Sequence, residues 1–470
     1  MIAVIVPIYN TEKYLRETID SVICQTLSFA EHIRLILLDD ASTDGSFAIC
    51  EQYQKQYPKQ ILVKHYDTNQ GVSALRNEGV RIAGEMGDEL ITFLDSDDKL
   101  ADDAMEKAKM YFESHEDVSV AAIAVKYFGT RDGEQRLNWR FQEMDVVDIK
   151  KQYTFPHYYV GGVFLRKRVL NELHFDETMN FWEDALAINQ VIVSEGKYGL
   201  IQDTFYFYRK REDESSLVDT AWHKKERYTT LLSSGYGQLF AYSRKKHHRI
   251  IPYVQYMVAY HMRLMMMKSK QSIIEEILSE EELAALRDDV QKVLKKIKVK
   301  YILQIPTSLP IIEGMLSMRA GKQVRAKRVY KDNDCVLMYK GVELARMSER
   351  SVKLFHIIED EESEFNGMWR GRFCTPIYAM KKEDYMKAAL NEAVKGLGFT
   401  NPNPMVGAVI VKDGRIISRG YHRRYGELHA ERNAINVCDA TIMQGLPLRF
   451  RKNGIVLCLE SILQKQMRIF

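Results

Sequence analysis

The segment Asp95–Asp98, with the sequence Asp-Ser-Asp-Asp, concentrates the residue types best suited to hold a metal ion. It directly follows Glu89–Leu94, whose apolar pattern predicts a buried strand. In open α/β sheets, ligands bind in the crevice outside the C-terminal ends of the strands. Three carboxylates there predict a hard-oxygen site that suits Mg²⁺ or Mn²⁺ carrying the phosphates of a nucleotide. The alternative is a solvated turn, because Asp and Ser favour turns.

The elements that must position this segment alternate between strand and helix. The pattern predicts strands at Ile2–Val6, Ile33–Leu38 and Ile61–His65, a fourth that ends at Asp95, and a helix from Thr11 to about Thr26 with Thr11 as its N-cap. Such alternation implies a mostly parallel sheet with helices on both faces. Because a polar motif follows each strand, the motifs should gather along one edge of the sheet.

Four motifs in this region closely resemble glycosyltransferase family 2. In the family's order they are Val-Pro-Ile-Tyr-Asn (6–10), Asp-Asp-Ala-Ser-Thr-Asp-Gly-Ser (39–46), Asn-Gln-Gly-Val-Ser (69–73) and Asp-Ser-Asp-Asp (95–98). The resemblance implies a GT-A fold, which is a Rossmann-like α/β architecture. It also implies that the chain binds a nucleoside-diphosphate sugar, typically one linked to UDP.

The resemblance assigns roles to individual residues. The implied donor-binding residues are Pro7 and Tyr9 beside the base, Asp40 hydrogen-bonded to it, Asp39 supporting that loop, Arg76 near the diphosphate, and Asp95 and Ser96 in the acidic motif. Asp97 would be the main contact of a Mn²⁺ or Mg²⁺ ion, helped by Asp95 and Asp98. On structural grounds alone, Asp39 and Asp40 could merely cap a turn, and Arg76 could be a surface cation.

A second constellation, Phe181–Leu186, contains Glu183 and Asp184 at the predicted start of a helix. The helix dipole alone favours carboxylates there. An inverting transferase, however, needs a base for the acceptor hydroxyl, and the pair matches the family's catalytic motif. The resemblance therefore implies that Asp184 is the base and that Glu183 orients the acceptor or helps set the pKa of Asp184. Trp182 could stack on a sugar or belong to the core.

A basic segment follows the predicted aromatic strand Thr204–Tyr208. In related transferases such a segment closes over the diphosphate, which would make Arg209 and Arg211 further donor-binding residues. Arginine suits this task because its guanidinium is a planar fork of donors. A solvated run of charges is the alternative.

The middle of the chain is predicted to be helical, with Tyr253, Tyr256, Tyr260, His261 and Leu264 among the residues of one apolar stripe. We interpret His261 as a core histidine whose hydrogen bonds are satisfied. Beyond it, Val336–Tyr339 and Val342–Leu344 suggest a hairpin and Val352–Ile358 a further strand. This β-rich part faintly resembles a module of transferases that act on cell-wall and teichoic-acid-like polymers. That resemblance implies a surface-polymer acceptor.

The last ninety residues resemble another family. Thr400–Val411, Gly420–His422 and Gly426–Glu431 are similar to the pyrimidine deaminase domain of bifunctional riboflavin-biosynthesis proteins. That mechanism needs a zinc-bound water, with His429 as a ligand and Glu431 as the proton shuttle. The two expected cysteine ligands are missing, because Ser461 and Ile462 stand where the family has Pro-Cys. We expect no deaminase activity. A gene fusion, a frameshifted reading and an assembly artefact all remain open explanations.

Composition places further limits on the chain. At 470 residues, 46% of them hydrophobic, the chain should hold two to four domains. The two resemblances, with the helical and β-rich patterns between them, imply four parts: a GT-A catalytic domain (1–220), a helical extension (221–320), a β-rich segment (321–378) and a partial deaminase-like domain (379–470). Met1–Val6 lacks the features of a signal peptide. Six cysteines without paired spacing indicate a cytoplasmic protein, with peripheral association at the inner face of the plasma membrane left open.

The leading hypothesis is an inverting, metal-dependent glycosyltransferase of hexosyltransferase type. Its expected partners are a nucleoside-diphosphate sugar and a glycan, polyol-phosphate or lipid-linked acceptor. A homo-oligomer is left open, and a net charge of +3 gives no reason to expect nucleic acid. The alternatives are a zinc-dependent deaminase of riboflavin biosynthesis and a non-catalytic nucleotide-binding protein.

Overall fold

The structure is a computed structural model. It describes residues 1–211, 220–307, 309–322, 324, 327–331, 334–339, 342–348, 388–389, 391–393, 406–412, 415–422, 428–437 and 456–460. The chain divides into two compact units. One comprises residues 1–307 and 315–322, and the other comprises 308–314 and 323–470.

A ten-stranded mixed sheet forms the centre of the first unit. Its strands are β1 (Ile2–Ile8), β2 (Ile33–Asp39), β3 (Ile61–His65), β4 (Leu90–Phe93), β5 (Lys99–Leu100), β6 (Val120–Gly129), β7 (Gly133–Glu134), β8 (Val146–Asp148), β9 (Val163–Arg166) and β10 (Lys197–Lys210). The order is β3-β2-β1-β4-β9-β6-β10-β5, with β7 beside β6 and β8 beside β10. Strands β1 to β4 pair in parallel, as predicted, whereas β9 is antiparallel to both β4 and β6.

Helices cover this sheet. Those of the first two hundred residues are α1 (Glu12–Ile23), α2 (Phe29–His32), α3 (Ser46–Gln56), α4 (Val72–Glu85), α5 (Ala104–Ser114) and α6 (Glu183–Glu195). All seven residues of β1 are buried, which is why that strand reads as a continuous apolar run. Helix α4 approaches β1 so closely that a Cβ on Gly79 would lie 2.3 Å from Ile5 Cγ2. Glycine therefore permits this contact.

The described residues between 220 and 322 are mostly helical, as predicted. Its helices are α7 (Glu226–Thr230), α8 (Tyr236–His247), α9 (Pro252–Met262), α10 (Lys268–Ile277), α11 (Glu280–Lys295), α12 (Val299–Ile302) and α13 (Leu309–Ala320). Helix α11 begins with a capping box between Ser279 and Glu282. Burial on α9 extends beyond the predicted stripe to Val254 and Val258, so this helix is a core element. No described helix is long and apolar enough to span a membrane.

The second unit contains two three-stranded sheets. Their strands are β11 (Lys327–Lys331), β12 (Asp334–Tyr339) and β13 (Val342–Ser348) in one, and β14 (Val406–Lys412), β15 (Arg415–Tyr421) and β16 (Val456–Glu460) in the other. Helix α14 (Ala430–Val437) follows β15. Antiparallel pairing of β12 with β13 confirms the predicted hairpin. The predicted strand at Val352–Ile358 lies outside the described residues.

Candidate active site

Polar motifs lie where the parallel strands end, as the sequence predicts. Ile8 at the end of β1 is in register with Asp39 at the end of β2, and the Asp40 amide donates to the Ile8 carbonyl at 2.8 Å. Pro7 is buried in β1, whereas 52% of Tyr9 is exposed just beyond it. An aromatic ring at this position is available to a planar base.

Asp40 organises the loop 69–71. Its Oδ1 accepts a hydrogen bond from the Gln70 amide at 2.6 Å, and its Oδ2 accepts one from the Gly71 amide at 2.9 Å. Gly71 has a φ of 88° and immediately precedes α4, so a glycine suits this turn. Each carboxylate oxygen has a second lone pair, so Asp40 can still accept a hydrogen bond from a base. That contact stays a prediction.

Asp39 is fully buried beneath the same edge. Its Oδ2 lies 2.7 Å from His65 Nδ1 and accepts from the Ser42 amide at 3.3 Å. These contacts tie the end of β2 to the end of β3 and to the loop that follows β2. They are consistent with the supporting role that the resemblance implies for Asp39.

Two carboxylates of the acidic motif are each held by an arginine. Asp95 Oδ1 lies 3.1 Å from Arg76 Nη2, and the Asp95 side chain is 41% exposed. Asp97 Oδ2 accepts from Arg211 through Nε at 2.7 Å and Nη2 at 2.6 Å. Ser96, between them, is buried, and its carbonyl accepts from the Thr18 hydroxyl at 3.0 Å. The motif is therefore fixed through both side chains and main chain.

Both carboxylate oxygens of Asp98 accept hydrogen bonds within the fold. Its Oδ1 accepts from the Arg209 amide at 2.7 Å, and its Oδ2 accepts from the Tyr206 hydroxyl at 2.7 Å. Only 1% of Asp98 is exposed. Within the described part of the chain, no group of three or more His, Cys, Asp or Glu is placed to hold a metal ion. Asp98 anchors β10 to the acidic motif through these two hydrogen bonds, and its predicted help to a metal ion stays a prediction.

The electrostatics of the motif favour an added cation. Burial, and then the charge of Asp95, raise the pKa of Asp97 despite the opposing effect of Arg211. Burial and the charges of Asp97 and Asp95 raise the pKa of Asp98 well above its usual range. Magnesium is commonly held by one or two carboxylates together with substrate phosphates and water. Asp95 and Asp97 fit that donor set.

Arg76 connects the acidic motif to the second constellation. Its Nη2 lies 3.1 Å from Asp95 Oδ1, and its Nη1 lies 3.0 Å from Glu183 Oε1. The side chain is 7% exposed, and its Nε has no hydrogen-bond partner among the described residues. Two carboxylates that are 88 positions apart in sequence are thereby held on one guanidinium. The predicted contact of Arg76 with a diphosphate stays a prediction.

Asp184 has the electrostatics of a base that works near neutral pH. Burial, followed by the charge of Glu183, raises its pKa to about 7, against the opposing attraction of Arg76. A general base is most effective when its pKa lies near the working pH. The charge of Glu183 thus contributes to the raised pKa of Asp184, and both roles considered for Glu183 stay predictions.

The helix that presents this pair begins abruptly. Trp182 precedes α6 in the left-handed conformation, with a φ of 70°. Its ring is buried and packs 5.0 Å from the ring of Tyr236 and 5.7 Å from that of His261. Trp182 is thus a core residue, which decides between the two roles considered for it. His261 Nδ1 lies 2.6 Å from the Tyr236 hydroxyl, which confirms the prediction of a satisfied core histidine.

The basic segment at the end of β10 is built into the fold and is not a solvated run. Arg209 Nε donates to the Asp97 carbonyl at 2.6 Å, and its guanidinium carbon lies 4.3 Å from the Phe128 ring centroid and 4.7 Å from that of Tyr14. Arg209 also pairs with Glu17. The sequence carries no signal for Tyr14 and Glu17 on α1 or for Tyr206 on β10, because only tertiary packing makes them neighbours of the acidic motif.

The deaminase-like part has few described residues. His429 is exposed, and its ring lies 5.1 Å from the ring of the buried His422. Both ring nitrogens of His422 lack a hydrogen-bond partner among the described residues. The side chain of Glu431 and the positions of Ser461 and Ile462 lie outside the described set. Among the described residues, His429 is not part of a group of three side chains that could hold zinc.

The sheet order and the motifs at its strand ends define a glycosyltransferase of the GT-A class. Residues 3–174 match Glycosyl transferase family 2, and residues 379–448 match the Cytidine and deoxycytidylate deaminase zinc-binding region. The minor teichoic acid biosynthesis protein GgaA of Bacillus subtilis (strain 168) is 39% identical over 304 residues, which are 64% of this chain and 68% of GgaA. The chain belongs to glycosyl transferase family 2.

Two further similarities refine this picture. The crystal structure of Staphylococcus aureus TarS 1-349 in complex with UDP-GlcNAc aligns with a TM-score of 0.55 at 19% identity, over 73% of this chain and 97% of that one. TarS is a poly(ribitol-phosphate) beta-N-acetylglucosaminyltransferase. The riboflavin biosynthesis protein RibD of Actinobacillus pleuropneumoniae is 58% identical over 55 residues, which are 12% of this chain and 15% of RibD. The deaminase is thus present as a C-terminal fragment. The two family matches indicate divalent metals and zinc in general terms.

Proposed function

We propose that the chain transfers a sugar from a UDP-linked donor to a hydroxyl of a polyol-phosphate polymer of the teichoic-acid type. The observation that carries this proposal is Asp184, whose pKa near 7 suits a general base and whose neighbour Glu183 is tied through Arg76 to the acidic motif. The similarity to GgaA and to TarS supports the choice of acceptor class and donor.

The chemistry assigned to Asp184 is a single proton transfer. The acceptor hydroxyl oxygen forms a bond to the anomeric carbon of the sugar while its proton passes to the Asp184 carboxylate. The bond from the anomeric carbon to the diphosphate oxygen breaks, and the nucleoside diphosphate leaves with the electron pair. Attack opposite the leaving group inverts the configuration at that carbon.

In this proposal the nucleotide binds at the donor edge, which comprises the strand-end residues Tyr9, Asp39, Asp40, Asp95 and Asp97. Tyr9 lies beside the base, and Asp40 hydrogen-bonds it through its remaining lone pairs. Asp95 and Asp97 would hold Mn²⁺ or Mg²⁺, and such an ion supplies charge stabilisation for the leaving diphosphate when bound. Arg211 lies close enough to Asp97 to contribute a further positive charge on the same side.

We further propose that the reaction takes place on the cytoplasmic side, at the inner face of the membrane where a lipid-linked or polymeric acceptor is held. The described helices include none that could span a membrane, so any association would be peripheral in this proposal. The four-part division at residues 220, 320 and 378 stays part of it.

The test is release of nucleotide from a panel of UDP-sugars and other nucleoside-diphosphate sugars, with Mn²⁺, Mg²⁺ or a chelator, in the presence of a short ribitol-phosphate oligomer. Wild type is compared with Asp184→Asn, which keeps the size of the side chain and removes the base. We expect metal-dependent release from one donor and a loss of about 100-fold or more in the variant. Equal release by the variant would overturn the role of Asp184.

A further inference from the structure

Arg227 is a buried cation, two of whose nitrogens have no acceptor among the described residues. It belongs to α7, is 3% exposed, and its Nε and Nη1 lack hydrogen-bond partners in the part of the chain that the structure describes. Its guanidinium carbon lies 3.8 Å from the ring centroid of Phe181 and 3.5 Å from that of Trp222. The guanidinium is therefore sandwiched between two aromatic rings.

Aromatic stacking does not replace hydrogen bonds for this group. Cation–π contacts stabilise the charge, but the N–H donors in the plane still need acceptors once they leave water. Burial lowers the pKa of Arg227 to about 10, so the guanidinium remains charged at neutral pH. Other buried arginines of the chain have acceptors: Arg140 donates to Tyr159 at 3.1 Å, and Arg263 donates to the Tyr260 carbonyl. Arg227 differs from them in this respect.

The position of Arg227 relates it to the proposed base. Phe181, one of the two stacking rings, is two residues before Glu183 and three before Asp184, at the start of α6. The rings of Phe181 and His261 lie 6.2 Å apart, and His261 also contacts Trp182. The cation thus belongs to the same side-chain cluster that supports the start of the helix carrying Asp184.

The donor edge does not need this cation. The three arginines nearest the acidic motif, Arg76, Arg209 and Arg211, are each ion-paired with a carboxylate at or beside that edge. An anion bound at Arg227 would lie beside the segment that presents the base. In a glycosyl transfer the molecule that must approach the base is the acceptor.

We propose that Arg227 binds a phosphate group of the acceptor and so positions an acceptor hydroxyl relative to Asp184. This inference rests on the proposed function, since it deepens the choice of a polyol-phosphate acceptor. A phosphodiester oxygen accepts from a guanidinium through charge-assisted hydrogen bonds, which the planar fork of donors favours. The Phe181 and Trp222 rings fix the plane of the guanidinium before the acceptor arrives.

The experiment compares wild type with Arg227→Met, Arg227→Lys and the control Lys292→Met, which removes a positive charge from an exposed face of α11. Transfer is measured against the concentrations of a ribitol-phosphate oligomer and of UDP-sugar. We expect Arg227→Met to raise the KM for the oligomer about tenfold or more, the scale of a charge-assisted hydrogen bond. The KM for donor and the slow hydrolysis of donor in water should stay unchanged. Arg227→Lys should recover part of the loss, and Lys292→Met should behave as wild type.

A merely structural role for Arg227 would give a different pattern. It would lower kcat and donor hydrolysis together and would leave the KM for the oligomer unchanged, and that result would overturn the proposal. If Arg227→Met does not fold, as judged by its circular dichroism, the wild-type protein still provides a test. At saturating donor, inorganic phosphate should compete with the oligomer, and an absence of competition would overturn the proposal.

Calorimetry separates this inference from the proposed function. The ribitol-phosphate oligomer and free ribitol are titrated into the UDP-loaded protein, whether or not transfer occurs. Binding of the oligomer but not of ribitol, lost in Arg227→Met, would support the phosphate site even if no sugar were transferred. Transfer to the oligomer with equal binding by wild type and Arg227→Met would uphold the proposed function and overturn this inference.

Discussion

The donor edge and the base-bearing segment Phe181–Asp184 of the candidate site differ in the partners of their arginines. At the donor edge, Arg76 and Arg211 are each ion-paired with a carboxylate of the Asp-Ser-Asp-Asp motif. Beside the base-bearing segment, Arg227 lies between two aromatic rings, and the described residues provide no carboxylate partner for it. At the donor edge the arginine charges are compensated by carboxylates before any ligand binds, whereas no described carboxylate compensates the charge of Arg227.

This difference indicates what each region can bind. Paired arginines hold carboxylates in place, so a nucleotide and its metal must share or displace existing ion pairs. An unpaired, desolvated guanidinium has a direct gain in free energy when an anion arrives. Arg76 is the link between the regions, because it contacts Asp95 of the donor edge and Glu183 beside the base.

Removing that link should have the largest effect. In Arg76→Met, Asp95 and Glu183 lose their shared cation, and breaking a buried ion pair in this way costs about 3–5 kcal/mol of unfolding free energy. Transfer should fall by about 100-fold or more, because both carboxylates lose their positions. Urea unfolding and kcat measure the two effects.

The matched control for that variant is Arg81→Met on the same helix, α4. Arg81 pairs with Glu78 and Glu85 on the exposed face of the helix, where such pairs contribute little. We expect neither stability nor transfer to change measurably. Similar losses in both variants would mean that Arg76 acts only as a helix residue and does not link the two regions.

The pH profile sharpens the role of Glu183. Because the pKa of Asp184 is about 7, kcat/KM should fall as the pH drops below 7 and the base becomes protonated. The charge of Glu183 contributes to that raised pKa. Glu183→Gln should therefore move the acid limb of the profile to lower pH. A limb that stays in place or moves upward would contradict the coupling of the two carboxylates.

The raised pKa of Asp184 should also lower the free energy of unfolding at neutral pH. Its folded pKa of about 7 lies above the ordinary 3.8, so the folded state disfavours the ionised form. The resulting destabilisation is absent below about pH 3.8 and is complete above about pH 7. From a difference of about three units, the upper limit is about 4 kcal/mol. Asp184→Asn should thus be more stable than wild type at pH 8 and equal to it at pH 3.5, as measured by urea unfolding where both fold.

The sequence predicted the donor edge better than the region around the base. Short motifs indicate the residues of the donor edge, whereas the region around the base depends on tertiary packing. The parallel strands β1 to β4 and the places of Asp39, Asp95 and Asp184 follow from local apolar runs and short motifs. The hydrogen bond between Tyr206 and Asp98 could not be predicted from the sequence, because it depends on how β10, 108 positions away, is placed in the sheet. Arg227 gave no signal in the sequence, since the two rings that enclose it come from separate segments.

The smallest predicted effect concerns the metal at the donor edge. Arg211 occupies Asp97 Oδ2 with two N–H groups, so a divalent cation that uses this oxygen must compete with the guanidinium. Arg211→Met should therefore bind Mn²⁺ a few-fold more tightly in the absence of nucleotide, as measured by electron paramagnetic resonance of free Mn²⁺. The control is Lys107→Met, whose lysine pairs with Asp103 away from the motif and should leave Mn²⁺ affinity unchanged. Weaker binding in Arg211→Met would mean that the arginine orients Asp97 for the metal, so that the ion pairs of the donor edge prepare the metal site and do not compete with it.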